Sequence, residues 1–153
     1  MNNEGFSRSP SDPTLYTKVN QEIKILIVFL YVDDLIFIED ISISEFKKAM
    51  KTEFEMTDLG MMRYFLRVEV TQSQDSIFIN QSKYANDVLK RFRMMNCKPT
   101  VTPFAIGTKL SEDDDVSKVD PMLYKRLVGS LMYLNATRPD IMFAVILISR
   151  FME

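Results

Sequence analysis

Histidine is absent from this chain of 153 residues. That excludes a Ser-His-Asp triad, an imidazole general base and any metal site built on imidazole. A metal held here must be held by carboxylates. Cysteine occurs once, at Cys97, so no intramolecular disulfide can form. A reducing, intracellular setting is therefore expected. Long apolar runs are also missing. The longest covers residues 141–148, far short of the roughly 20 residues that a helix needs to cross a bilayer. It reads as a core helix, and no membrane association is expected. Positive charge is not in excess: 19 Lys and Arg stand against 21 Asp and Glu, a net charge of −2. The chain as a whole is not a basic nucleic-acid binder, although basic residues can still cluster locally. Residues 1–12 are polar with no apolar stretch, so no secretory leader is expected. No internal repeat is visible.

What is present is a globular composition, 46% hydrophobic and 26% charged, in a chain long enough to build a real core. Its most informative segment is Tyr31-Val32-Asp33-Asp34. The apolar run Ile25-Leu26-Ile27-Val28-Phe29-Leu30 precedes it, and Leu35-Ile36-Phe37-Ile38 follows. Both runs are short and rich in β-branched and aromatic residues, which predicts a hairpin carrying two carboxylates at its tip. Adjacent like charges above apolar strands are costly unless a cation sits between them. Paired hard oxygen ligands suit Mg²⁺, with substrate phosphates completing the shell. Read from these residues alone, a metal-holding tip and a solvated turn both fit.

The rest of the chain predicts an α+β layout. Residues 1–13 read as loose, with Ser9-Pro10 and Asp12-Pro13 as breakers. Strands are expected over 15–19 and 23–30, separated by Asn20-Gln21-Glu22. Ser42-Ile43-Ser44-Glu45 has the form of a capping box. It opens a helix to about Glu55 whose apolar face is Ile43, Phe46, Met50 and Phe54. A strand is expected over 64–70, a polar turn at 72–75 and a second strand over 77–79. From Ser82 the pattern turns helical. One helix presents Tyr84, Val88, Phe92 and Met95. An irregular stretch with an acidic run at 112–115 follows. A helix capped by Asp120 and opened by Pro121 then carries Leu123, Leu127 and Leu131 through Leu134. Pro139 opens a last helix that runs to the end of the chain. A boundary is expected near residue 80, giving segments 1–80 and 81–153. Lys83, Lys90, Arg91 and Arg93 form a local basic cluster that suits either phosphate contact or a solvated helix face.

Several stretches recur in a fixed order. They are Ser11-Asp12-Pro13-Thr14-Leu15-Tyr16, Tyr31-Val32-Asp33-Asp34-Leu35, Phe54-Glu55-Met56-Thr57-Asp58-Leu59-Gly60, Tyr64-Phe65-Leu66, Gln81-Ser82-Lys83-Tyr84, Lys98-Pro99-Thr100-Val101-Thr102-Pro103, the run from Tyr124 to Leu134, and Thr137-Arg138-Pro139-Asp140 onward. Together they resemble the reverse transcriptase of copia-type long-terminal-repeat retrotransposons of plants, over nearly the whole chain. The resemblance implies part of a right-hand polymerase: the later palm over 1–80 and a helical thumb or connection over 81–153. It implies that Asp33 and Asp34 are the catalytic, Mg²⁺-binding pair, and that Tyr31 lies beside the primer end and the incoming nucleotide. Tyr64, Phe65 and Leu66 would belong to the primer-gripping hairpin, and Lys83, Lys90, Arg91 and Arg93 would touch an RNA or DNA template-primer.

Two departures accompany the resemblance. The family's site uses a further aspartate on a strand upstream of the hairpin, and Asp12, in a loose segment before a proline, is not in that place. Glu39 and Asp40 lie roughly 16–20 Å along an extended strand from the tip, too far to share a metal. Arg67 stands where a glycine is usual, as does a residue near Glu39, and glycine permits backbone conformations that arginine resists. The isolated chain is therefore expected to be inactive as a polymerase. The alternative is a degenerate retroelement remnant that binds nucleic acid or protein weakly.

Overall fold

A computed structural model describes residues 5–19, 25–39, 43–105, 107–108, 110 and 119–152, the side chain of Glu39 excepted. The described residues form two antiparallel sheets and four α-helices, the expected α+β class, with no closed barrel. The expected turn at 20–22, Ser42 and the acidic run at 112–115 lie outside the described residues. The chain packs as two compact units, Met1–Gly60 and Met61–Glu153.

The first unit is a four-stranded sheet in the order β1-β2-β3-β4, with β1 at Ser7–Arg8, β2 at Leu15–Val19, β3 at Ile25–Tyr31 and β4 at Asp34–Glu39. Helix α1, Ser44–Phe54, covers one face. Period-two alternation decides which side chains meet it. Leu26 and Val28 of β3 are 2% and 0% exposed and pack with Phe6 and Ile43, against Tyr16, Leu35, Phe37 and Phe46. Burying each such aliphatic side chain contributes about 1.5–3 kcal/mol. Residues 5–13 are more ordered than the proline breakers suggest. Phe6 is buried, Ser7 and Arg8 pair with Thr17 and Tyr16, and Arg8 Nε donates to the Pro13 carbonyl at 2.7 Å. One aromatic residue thus ties an otherwise polar segment to the core. The helix begins one position later than the capping box implies, with Ile43 at its N-cap and no side-chain cap. Phe54 is 63% exposed and not part of the apolar face. It ends the helix, and Glu55 at φ +53° turns the chain away.

The second unit opens with β5 at Tyr64–Phe65, β6 at Val68–Gln72 and β7 at Ile77–Asn80. The continuous strand expected over 64–70 is split by a tight turn. Leu66 and Arg67, at φ +43° and +62°, both lie in the left-handed region. Two such residues make the turn whose twist suits a hairpin, but neither is the glycine or asparagine that would announce it. Helices α2 (Ser82–Arg91), α3 (Pro121–Leu134) and α4 (Met142–Ser149) follow, the last after a single 3-10 turn at Pro139–Ile141. Asp120 caps α3 as expected, its Oδ1 accepting from the Met122 amide at 2.9 Å. Tyr84, Val88 and Leu134 are buried together, with Phe92, Leu131 and Ile141 against them. The expected stripes are displaced at their ends: Met95 and Leu123 are exposed, while Val128 and Leu134 are buried. The buried side chain of Gln81 joins α2 to the end of α3, accepting from Thr137 Oγ1 at 2.8 Å and donating to the Tyr133 carbonyl at 3.4 Å. Tyr133 Oη donates to the Leu66 carbonyl, so the β5–β6 turn packs with the helices, and the compact units divide at Gly60, ahead of that turn.

Candidate functional site

The β3–β4 hairpin closes through Val32 and Asp33, between the paired residues Tyr31 and Asp34. The flanking runs pair residue for residue, Leu30 with Leu35 and Val28 with Phe37, so the chain must reverse in two residues. Val32 takes φ +52° to do so and is 79% exposed. A β-branched residue in that region is strained. Since Leu26 and Val28 face α1, alternation puts Tyr31, together with Ile27 and Phe29, on the opposite face. Asp34, Ile36 and Ile38 share that face through their pairing. No helix of the first unit's described residues covers it.

Asp33 and Asp34 are both exposed. Among the described residues neither side chain is engaged in an ion pair or hydrogen bond. Among the described residues no other acid joins them in a metal-holding group. Glu39 pairs with Leu26 at the far end of the hairpin, five residues of rise from Asp34, which is about 17 Å. Asp40 lies outside the described residues. Asp12 leaves the sheet at the same end as the tip, because the Leu30 amide donates to the Thr14 carbonyl at 2.9 Å. Its carboxylate is occupied locally. It accepts from Thr14 Oγ1 at 2.6 Å and from the Thr14 amide at 2.9 Å, and these bonds hold it below the usual aspartate range. No cluster of three potential ligands able to hold a metal exists among the described residues. The tip offers carboxylate oxygens of the kind that magnesium takes, from two acids rather than three among the described residues.

The second unit carries the other expected site residues. Tyr64 is 50% exposed, and the Lys83 ammonium lies 5.3 Å from its ring centroid. Phe65 is half-buried. Leu66 sits at the turn, its carbonyl held by Tyr133. Lys90, Arg91 and Arg93 are exposed on and just after α2. Arg91 opens into a groove that Arg67 and Arg126 also line. The guanidinium of Arg67 lies 5.2 Å from the Tyr84 ring centroid. Sequence reasoning missed Arg126, Gly129 and Tyr133. Their spacing of three and seven residues along α3 puts them on one helix face, a signal that was there to be read.

Residues 1–106 match the family described as reverse transcriptase (RNA-dependent DNA polymerase). The chain is 35% identical to the retrovirus-related Pol polyprotein from transposon TNT 1-94 of Nicotiana tabacum, over 100% of this chain and 12% of that protein. It is 33% identical to the corresponding polyprotein from transposon RE1 of Arabidopsis thaliana, over 97% of this chain and 10% of that protein. An uncharacterised mitochondrial protein of the same plant is 35% identical over 77% of this chain and 50% of its own length. The chain thus spans about a tenth of the length of the polyproteins it matches. No solved structure matches.

Proposed function

We infer a function from the premise that this chain belongs to the reverse transcriptase (RNA-dependent DNA polymerase) family. The proposal is that it is a piece of the polymerase of a copia-type plant retrotransposon, acting inside the cell on an RNA or DNA template-primer and nucleotides. Asp33 and Asp34 are the catalytic carboxylates, and Tyr31 borders the primer end. Tyr64, Phe65 and Leu66 form the primer-gripping turn. Lys83, Lys90, Arg91 and Arg93 contact the nucleic-acid backbone. The observation that carries this reading is the exposed twin-aspartate tip of the β3–β4 hairpin, with neither side chain in an ion pair or hydrogen bond among the described residues. Carboxylates left without a protein partner at such a place suit an external cation. In this chemistry magnesium neutralises charge at the transferred phosphate and orients the reacting oxygens. What the chain's own residues do is narrower: the β3–β4 ladder presents Asp33 and Asp34 together at its tip.

The donor count favours a second statement about these residues taken alone. Two carboxylates, with no third acid beside them among the described residues, do not fix two metal ions, so the 153-residue chain binds Mg²⁺ weakly and does not extend a primer. It behaves as a remnant with residual nucleic-acid affinity. The test is primer extension on a homopolymer template with Mg²⁺ or Mn²⁺, beside an Asp33→Asn, Asp34→Asn variant. No extension by either protein is expected, with Mg²⁺-dependent NMR shifts at the Asp33 and Asp34 amides that the variant loses. Extension by the natural chain, abolished in the variant, would overturn the inactivity. Absence of any Mg²⁺ effect at the tip would overturn the metal role.

A further inference from the structure

We propose that the outer edge of β7 is a self-pairing surface, on which a second copy of this chain adds its own β7, antiparallel, about a two-fold axis through Phe78. Four strands form sheet edges among the described residues. Three of them are blunted. β1, Ser7–Arg8, is two residues long and carries a charge. β5, Tyr64–Phe65, is equally short. β4 begins with Asp34 and ends with Glu39. Short length and charge are devices that discourage strand addition. β7, Ile77–Asn80, is twice as long as β1 or β5 and holds no charge. Its three apolar side chains, Ile77, Phe78 and Ile79, are all exposed.

Two features single out a second copy as the occupant. The first is symmetry in the sequence. Ser76-Ile77-Phe78-Ile79-Asn80 reads polar, isoleucine, phenylalanine, isoleucine, polar in either direction. An antiparallel pair centred on Phe78 sets Phe78 against Phe78 of the second copy and each Ile77 against an Ile79. Aromatic and β-branched cross-strand pairs are favourable, and an uncharged strand meets itself without like-charge repulsion. The second feature is the phase of the backbone. The Val70 amide donates to the Arg63 carbonyl at 2.9 Å, just ahead of β5, so Val70 turns its backbone groups away from β7. Its register partner is Ile79. The pair is therefore a non-hydrogen-bonded one, and Ile79 turns its N–H and C=O outward, to the free edge. Ile77 has the same phase. The Ser73 amide donates to the Ser76 carbonyl at 2.8 Å, and alternation makes the adjoining pair, Gln72 with Ile77, a non-hydrogen-bonded one. With the axis at Phe78, each Ile77–Ile79 pair exchanges both its N–H···O bonds. A slip of one residue sets outward groups against inward ones and loses them. Moving the axis to Ile77 or Ile79 keeps only the pair on the axis. The contact is small: three apolar side chains from each copy bury less than the roughly 1,200 Å² at which stable interfaces begin. The dimer is accordingly weak and builds up with concentration.

The test is sedimentation velocity of the full chain over about a hundredfold range of concentration, where mass action populates a weak dimer. A monomer that passes into a dimer and no further is expected. Phe78→Lys sets two ammonium groups face to face on the axis and should weaken association at least about tenfold. Phe78 is 63% exposed, so this change leaves the core intact. Ile38→Lys, on the open face of the first unit, should leave the dimer in place. The register is read by cross-linking in a Cys97→Ser background, which removes the one natural thiol. Phe78→Cys puts the thiols in a non-hydrogen-bonded pair with Cα atoms about 4.5 Å apart, within disulfide reach, and should give a covalent dimer under mild oxidation. Ile79→Cys puts them diagonally across the axis, about 7–8 Å apart, and should not. Association that continues past two copies, equal cross-linking by the two cysteine variants or undiminished association of Phe78→Lys would overturn the self-pairing. A monomer at every concentration would overturn it too, leaving the edge to a strand of another protein. Asp33→Asn, Asp34→Asn should leave dimerisation unchanged, so failure here and failure of the metal reading are distinguishable.

Discussion

At the scale of single residues, Val32 shows best how function and stability oppose each other in this chain. The flanking runs place Val32 at the hairpin tip, but nothing in its residue type announces the left-handed backbone it takes there. The pairing of equal apolar runs on either side forces it into φ +52°. Such a conformation costs about 1–3 kcal/mol for a branched residue. Glycine would remove that strain, at a cost of about 0.5–1 kcal/mol in unfolded-chain entropy. Little burial is lost, because Val32 is 79% exposed. Val32→Gly should therefore stabilise the first unit by about 1 kcal/mol, read as a higher urea midpoint with an unchanged slope. A lower midpoint would mean that the turn is held by contacts of the valine side chain. The position of Asp33 and Asp34 at the tip was legible, since it follows from the lengths of the flanking runs. Arg126 was not, because its meaning depends on Arg67 and Arg91, which the fold brings to it from two other elements.

Among elements, α1 illustrates how one lysine joins three segments. Lys47 on α1 lies 5.0 Å from the centroid of the Phe37 ring on β4, and its ammonium is 3.2 Å from Asp58. The other oxygen of Asp58 accepts from the Gly60 amide at 2.9 Å, and Gly60, at φ +75°, takes a conformation suited to glycine. The Gly60 hydrogen bond first, and then Lys47, hold the Asp58 carboxyl below the ordinary aspartate value of 3.8. A group whose pKa falls on folding stabilises the fold above its unfolded value and loses that contribution as pH drops through the folded one. Asp58→Ala should thus lower stability at neutral pH, and its denaturation curve should converge with that of the natural chain as pH falls below 3.8. Asp58→Asn keeps an acceptor for Gly60 and should show only the part due to Lys47. Parallel curves at every pH would remove the carboxylate from the explanation. The helix was readable from periodicity and its end falls one residue from the expected Glu55, although Phe54 does not belong to the apolar face. The split of 64–70 into β5 and β6 was hidden, because Leu66 and Arg67 are not turn formers and only the packing of Tyr133 and Tyr84 around them selects that conformation. Likewise the order in 5–13 rests on one buried apolar side chain, Phe6, and on strand pairing and hydrogen bonds, which leave no periodic signal.

For the molecule as a whole, the balance between covered and uncovered apolar surface governs behaviour in solution. The sheet face that carries Tyr31 and Asp34 exposes Ile25 at 43% and Ile38 at 63%. In the second unit, β7 is an edge strand whose consecutive residues Ile77, Phe78 and Ile79 are 64%, 63% and 51% exposed, with no charged residue in Ile77–Asn80. An uncharged apolar edge with free backbone groups is a template for pairing with another chain. A net charge of only −2 supplies little repulsion to oppose it. The 153-residue chain should therefore elute broadly and in a concentration-dependent manner in size-exclusion chromatography. Ile38→Lys with Phe78→Lys should sharpen the profile toward a monomer, because a lysine on an edge or open face blocks strand addition at the cost of exposed side chains only. A sharp monomeric peak from the unsubstituted chain, with cooperative melting, would show instead that these faces are no liability.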